Sequence, residues 1–173
     1  MSGAATETQP AEPAVLLEQC GTTAFVTLNR PKTGNAFSAA LVEGLDGALD
    51  QALRAGAQLV VLKGAGRHLC TGFDLSGIEE QSDGDLLLRL VRIEQLLQKV
   101  ASLPALTLCL GTGRTVGAGA DLFAACDLRV AVSGAHFSFP GVGFGVILGN
   151  RRLAALVGPG AARDILLNAR SLS

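Results

Sequence analysis

The chain has 173 residues, 49% of them hydrophobic, with 22 glycines, seven Phe and neither Trp nor Tyr. That length and balance fit one globular α/β domain with a sizeable core and argue against a disordered chain. Fourteen Lys and Arg against fifteen Asp and Glu leave a formal net charge of −1, and no basic run interleaved with aromatics exists, so no nucleic-acid partner is expected.

The opening MSGAATETQPAE is small, polar and acidic. It lacks the basic start and apolar middle of a signal peptide, and no stretch reaches the ~18 apolar residues of a membrane span. A disordered tail over 1–13 and a cytoplasmic protein without membrane contact are expected. Residues 14–20 and 23–29 read as two strands around Gly21 and Thr22. Pro31 stops the second. Ser38 is placed to cap a helix whose apolar face carries Leu41, Val42, Leu45, Leu49, Ala52 and Leu53, with Gly56 as its stop. Residues 59–63 form a buried strand by length and β-branching, and a glycine-rich loop follows. An amphipathic helix over 84–102 carries Leu86, Leu90, Ile93, Leu97 and Val100, and ends before Pro104. Residues 105–110 are another buried strand. A second glycine-rich loop, GTGRTVGAG, leads into a short helix over 118–126, then a strand over 127–132. A small segment at 135–139, a third glycine-rich loop and helices over 150–157 and 160–168 complete the pattern. Strands and helices alternate, so ligand loops are expected at the carboxyl ends of the strands.

Cys20, Cys70, Cys109 and Cys126 are widely spaced, with no CxxC pair and no histidine at ligand spacing. They read as reduced thiols in or near the core, and no metal site is expected. The glycine loops admit three chemistries. A phosphate-binding P-loop needs GxxxxGK[ST], which is absent. A dinucleotide fingerprint needs GxGxxG after the first strand; Gly111, Gly113 and Gly117 miss that spacing and come too late in the chain. The third is an oxyanion hole, in which amide N–H groups from two loops converge on one carbonyl oxygen and small residues permit close backbone approach. The loops near 71–74 and 117–119 suit it, although small residues also serve simple tight turns.

Three strings narrow the choice. VTLNRPKTGNAFSAALVEGL, LVVLKGAGRHLCTGFDLSGI and GRTVGAGADLFAACDLRVAVSGAHFSFPGVGFGVILG, in that order and nearly without gaps from residue 14 onward, resemble the signatures of the crotonase (enoyl-CoA hydratase/isomerase) superfamily. The resemblance implies a crotonase-like α/β spiral of ββα units over 14–173. It implies an acyl-CoA substrate, with CoA entering as part of that substrate and no permanently bound cofactor. The thioester carbonyl would lie between the N–H groups of Phe73 and Ala118, with Asp74, Leu75, Ser76, Gly117 and Gly141 along the substrate, although Asp74 reads more readily as a cap on the next helical turn. Phe73, where alanine is common, would shape or shorten the acyl pocket.

Two departures stand out. Family hydratases position water with two glutamates; the corresponding residues are Asp121, one methylene shorter, and Gly141, which can neither give nor take a proton. Asp121 can be read as a catalytic acid/base or as a helix-first-turn cap. His136 is a weaker acid/base candidate, Asp127 reads as structural, and Arg30, Lys32, Arg67 and His68 lie in loops where CoA phosphates could pass. The chain also stops before the C-terminal helices through which family members assemble as homotrimers or hexamers, as a truncated chain or a short member would. Two readings remain: an acyl-CoA isomerase, lyase or decarboxylase of altered chemistry using Asp121, or a non-catalytic acyl-CoA-binding or partner-regulating protein.

Overall fold

The computed structural model describes residues 12–146 and 148–173. The expected tail falls outside them up to residue 11, while the Pro13 carbonyl accepts a hydrogen bond from Asn29 Nδ2. Strands β1 (Val15–Cys20) and β2 (Thr23–Leu28) form an antiparallel hairpin. Gly21 turns it with a φ of 57°, a conformation that glycine adopts without steric cost. Alternate residues Ala24, Val26 and Leu28 of β2 are fully buried, the period expected of a strand with one face on a core.

β3 (Leu59–Gly64), β4 (Leu106–Gly111) and β6 (Leu128–Ala131) add in parallel to give the order β1-β2-β3-β4-β6. Parallel neighbours need long crossovers. These contain α1 (Ala39–Arg54), α2 (Asp83–Ala101) and α3 (Ala118–Ala125). The Ser38 side chain accepts from Leu41 N at the start of α1. At its end Gly56 takes a φ of 79° and Ala57 N donates to the Ala52 carbonyl, closing a Schellman stop. Ser82 and Asp85 form a capping box at the head of α2. Ile93, Leu97 and Val100 of α2 enter the core together with Leu96.

One pair of strands went unread in the sequence. β5 (Arg114–Val116) pairs in parallel with β7 (His136–Ser138), although Arg114–Val116 lies within a stretch that reads as loop. Three residues are too few to show a strand period. Single bridges at Phe37–Phe73 and Cys70–Thr115 extend this second ladder towards the first turns of the spiral. Each turn therefore supplies a long strand, a short stretch in the second ladder and a helix, which is the spiral of ββα units that the resemblance implies. α4 (Asn150–Val157) and α5 (Pro159–Leu167) follow and share a small core with α3 through Ala120, Leu153, Ala162 and Ile165.

The cysteine expectation needs one correction: Cys70, Cys109 and Cys126 are buried and free, but Cys20 is exposed. It ends an edge strand whose last residues are exposed, so no core reaches it. Asp127 is structural. Its carboxylate accepts from Thr107 N and Oγ, and its own N–H donates back to Thr107 Oγ, tying β4 to the start of β6.

Candidate active site

Two loops meet at the carboxyl end of the sheet. The first follows β3 and is shaped by Asn35, fully buried with a φ of 57°. Its Nδ2 donates to the Ala65 and His68 carbonyls, and its Oδ1 accepts from Arg30 N. Further along, Phe37 N donates to the Gly72 carbonyl and Asp74 N to the Phe37 carbonyl. A parallel bridge of this kind uses the groups on either side of Phe73, so the Phe73 N–H turns the other way and finds no acceptor among the described residues.

The second loop follows β5. Gly117 takes a φ of 52° and donates its N–H to the Ser138 carbonyl. α3 then begins at Ala118 with no side-chain cap, which leaves the Ala118 N–H as one of the unpaired donors of a helix start. The loops approach backbone to backbone. A Cβ on Gly72 would lie 3.1 Å from the Val116 carbonyl oxygen, and one on Gly119 2.5 Å from that of Cys70. Small residues at these positions are therefore required by packing.

Beside the loops lies a cavity of about 490 Å³. One wall comes from Phe73, Leu75, Ile78, Leu86, Leu90 and Ile93, the other from Phe139, Val142, Phe144, Val146, Leu148 and Leu166. Gly117, Ala118 and Gly141 border it, and among the described residues Thr71 and Asp121 are its only polar side chains. This explains why Leu86 and Leu90 of α2 stay half-buried: they face the cavity rather than the core.

Asp121 sits in the first turn of α3 and is 6% exposed. Its carboxylate accepts no hydrogen bond among the described residues, and Oδ1 is buried without a partner, so it does not cap its helix. Burial pushes its pKa up to about 7, against the pull of Arg152 and with some help from Glu94. Gly149, at the head of α4, presses on it: a Cβ there would overlap Oδ1. Gly141 lies in the single-turn helix Pro140–Phe144, and a Cβ there would overlap the Val146 carbonyl oxygen. The backbone around residue 141 thus leaves no room for any side chain.

Asp74 and Ser76 stand apart from the cavity lining. Asp74 Oδ1 accepts from Ser76 N at 3.0 Å and Ser76 Oγ at 2.6 Å, and Oδ2 pairs with Arg30 Nη1 at 2.6 Å. Burial alone would raise this carboxyl, but Ser76 and Arg30 outweigh it and hold it below the usual carboxylate range. Of the basic loop residues, Arg30 is engaged with Asp74 and the Ala36 carbonyl, Lys32 and Arg67 are exposed, and His68 Nδ1 accepts from Arg114 N. His136 is exposed on β7. Two residues that the sequence does not single out also shape the site. Arg89 lies 4.0 Å over the Phe73 ring, anchored to Gln81 Oε1 and the Asp74 carbonyl. Arg152 faces Asp121 from α4. Both reach the site from helices distant in sequence, and no local motif marks them. Among the described residues no group of three His, Cys, Asp or Glu side chains could hold a metal ion, and no helix is long and apolar enough to cross a membrane.

The profile of the enoyl-CoA hydratase/isomerase family matches residues 18–173. The chain belongs to this family. It is 37% identical over 151 residues to a Mycobacterium bovis protein named probable enoyl-CoA hydratase echA6, covering 86% of this chain and 60% of the relative. It is 32% identical over 169 residues to the short-chain-enoyl-CoA hydratase of Clostridium acetobutylicum, covering 91% and 62%. A Bordetella parapertussis structure assigned to the enoyl-CoA hydratase/isomerases superposes with a TM-score of 0.90 at 48% identity, covering 92% of this chain and 67% of that one. The family member described here thus spans about three fifths of the length of the curated relatives it matches.

Proposed function

We propose that this family member binds a fatty acyl-CoA thioester with its carbonyl oxygen between the Phe73 and Ala118 amides, and that Asp121 moves a proton at the neighbouring carbon. The observation that carries this reading is the juxtaposition of two unpaired amide donors and one buried, unpartnered carboxylate around a hydrocarbon-lined cavity. Removing a proton next to a thioester carbonyl places negative charge on the oxygen. Fixed N–H donors aimed at that charge in a dry site are worth about 2.7–4 kcal/mol each. A carboxyl with a pKa near 7 suits both halves of the transfer, because it can accept the proton and return it near neutral pH.

Gly141 decides between outcomes. Adding water across a double bond by the two-carboxylate route requires a second group at that position, and none fits there. The chemistry that this site supports is therefore a proton shift through the enolate. The same glycine favours a second reading, in which the thioester is bound and no product forms.

Incubating a saturated acyl-CoA with the protein in heavy water and following its mass separates the readings. Proton transfer by Asp121 predicts deuterium uptake next to the carbonyl, reduced at least about 100-fold in Asp121→Asn, the lower end of a general-base contribution. Binding without uptake leaves the second reading. Uptake undiminished in Asp121→Asn removes Asp121 from the mechanism.

A further inference from the structure

A buried, unpaired donor near the cavity lies on α4. Arg152 projects from the first turn of that helix and does not form an ion pair with Asp121. Its guanidinium is held by α2 instead: Nη2 lies 2.7 Å from Glu94 Oε2, and Nη1 donates to Gln98 Oε1 at 3.4 Å. Its Nε is buried and has no acceptor. Asp121 Oδ1 is likewise buried and has no donor. A complementary donor and acceptor are thus both unpaired on the adjacent helices α3 and α4. Leaving either unpaired costs stability, so such an arrangement persists only where other contacts over-determine it. Glu94 and Gln98 supply those contacts on one side, and the close seat of Asp121 on Gly149 supplies them on the other.

We propose that Arg152 is a positioning residue for the chemistry at Asp121: pinned by Glu94 and Gln98, it is kept from pairing with the carboxylate and so leaves that carboxylate available to substrate. This rests on the proposed role of Asp121. Were Arg152 released, it could pair with the carboxylate directly and remove it as a base. α3 packs against α2, α4, β4 and β5. Of these, α4 presents Arg152 and α2 presents Glu94. β4 carries no charged residue, β5 carries only the exposed Arg114, and Arg151 of α4 is exposed. Arg152 favours the charged form of Asp121 and Glu94 opposes it, so the two partners of one ion pair act on the site in opposite directions.

The test follows the Asp121 carboxyl by carbon NMR in ligand-free protein labelled at aspartate, with the signal assigned by its loss in Asp121→Asn. The midpoint should rise in Arg152→Gln by on the order of one pH unit, return towards the original value in Arg152→Lys and fall in Glu94→Gln. A residue that merely braces the fold would not move this midpoint in opposite directions through its two partners. An unchanged midpoint in folded Arg152→Gln overturns the proposal, as does a shift of the same sign in both variants. Should Arg152→Gln fail to fold, a midpoint in Glu94→Gln that does not fall overturns it equally. Because no ligand is present, these results stand apart from acyl-CoA binding, whose failure in calorimetry would sink the proposed function instead.

Discussion

Phe73 carries two roles in the proposed site. Its amide is the proposed donor to the thioester oxygen, while its ring forms part of the cavity wall under the Arg89 guanidinium. A cation over a ring at such a partly exposed site stabilises by about 0.5–1 kcal/mol, which biases the ring towards this position. Truncation should separate the roles, because Phe73→Ala keeps the N–H and removes the wall. A series of acyl-CoA analogues is expected to bind Phe73→Ala with its optimum moved to longer chains, since each further buried methylene contributes about 0.8 kcal/mol. Equal loss at every length would show instead that the ring is needed to hold the amide. The loop that carries residue 73 was legible in the string CTGFDL. The Arg89 contact was not, because it joins side chains 16 positions apart through tertiary packing. Asp74 allowed two readings from the sequence, beside the substrate or as a cap on the following turn, and its carboxylate accepts from Ser76 N and Oγ and pairs with Arg30.

At the scale of elements, the site depends on how closely α3 lies on the strand segment carrying Cys70. Gly119 is the contact point, and Gly119→Ala would bring a methyl to 2.5 Å from the Cys70 carbonyl oxygen and 2.7 Å from Cys70 Cβ. Backbone cannot yield as a side-chain tip does, so α3 must move. We expect a loss of about 1–3 kcal/mol in denaturant unfolding, together with weaker acyl-CoA binding, because the Ala118 amide moves with the helix. A variant that loses stability and binds normally would mean that the two loops need not be so close. The elements themselves were largely readable. α1 announced its start at Ser38, its buried stripe and its stop at Gly56, each a local signal. β5 and β7 were not, since their pairing across some twenty residues is a tertiary event and each strand is only three residues long.

Across the whole molecule, the pH dependence of stability carries the mark of the buried acid. The Asp121 carboxyl has an ordinary value of 3.8 in the unfolded chain, and burial pushes it up to about 7 in the fold. Below the lower value both states hold the proton and the group contributes nothing. Between the two the unfolded chain releases its proton and the folded one keeps it, so stability falls as pH rises. Above the upper value a cost on the order of a few kcal/mol is fully present. Asp74 and Asp127, both held below their ordinary range, act the other way and contribute stability that is lost in acid. Subtracting the unfolding curve of Asp121→Asn from that of the parent isolates the first effect. The variant should gain stability relative to the parent as pH rises from about 4 to 7, and a flat difference would mean that Asp121 is solvated.

The most direct test of the account is calorimetric titration of this chain with three ligands: an acyl-CoA analogue that keeps its carbonyl next to a non-hydrolysable linkage, the matching thioether without the carbonyl, and free CoA. Binding through the Phe73 and Ala118 amides predicts affinity in the order carbonyl analogue, thioether, CoA, with at least about a tenfold gap between the first two, as one to two extra hydrogen bonds would give. Equal affinity for the carbonyl analogue and the thioether would contradict the oxyanion hole, and no binding of any of the three to folded protein would contradict the acyl-CoA site itself.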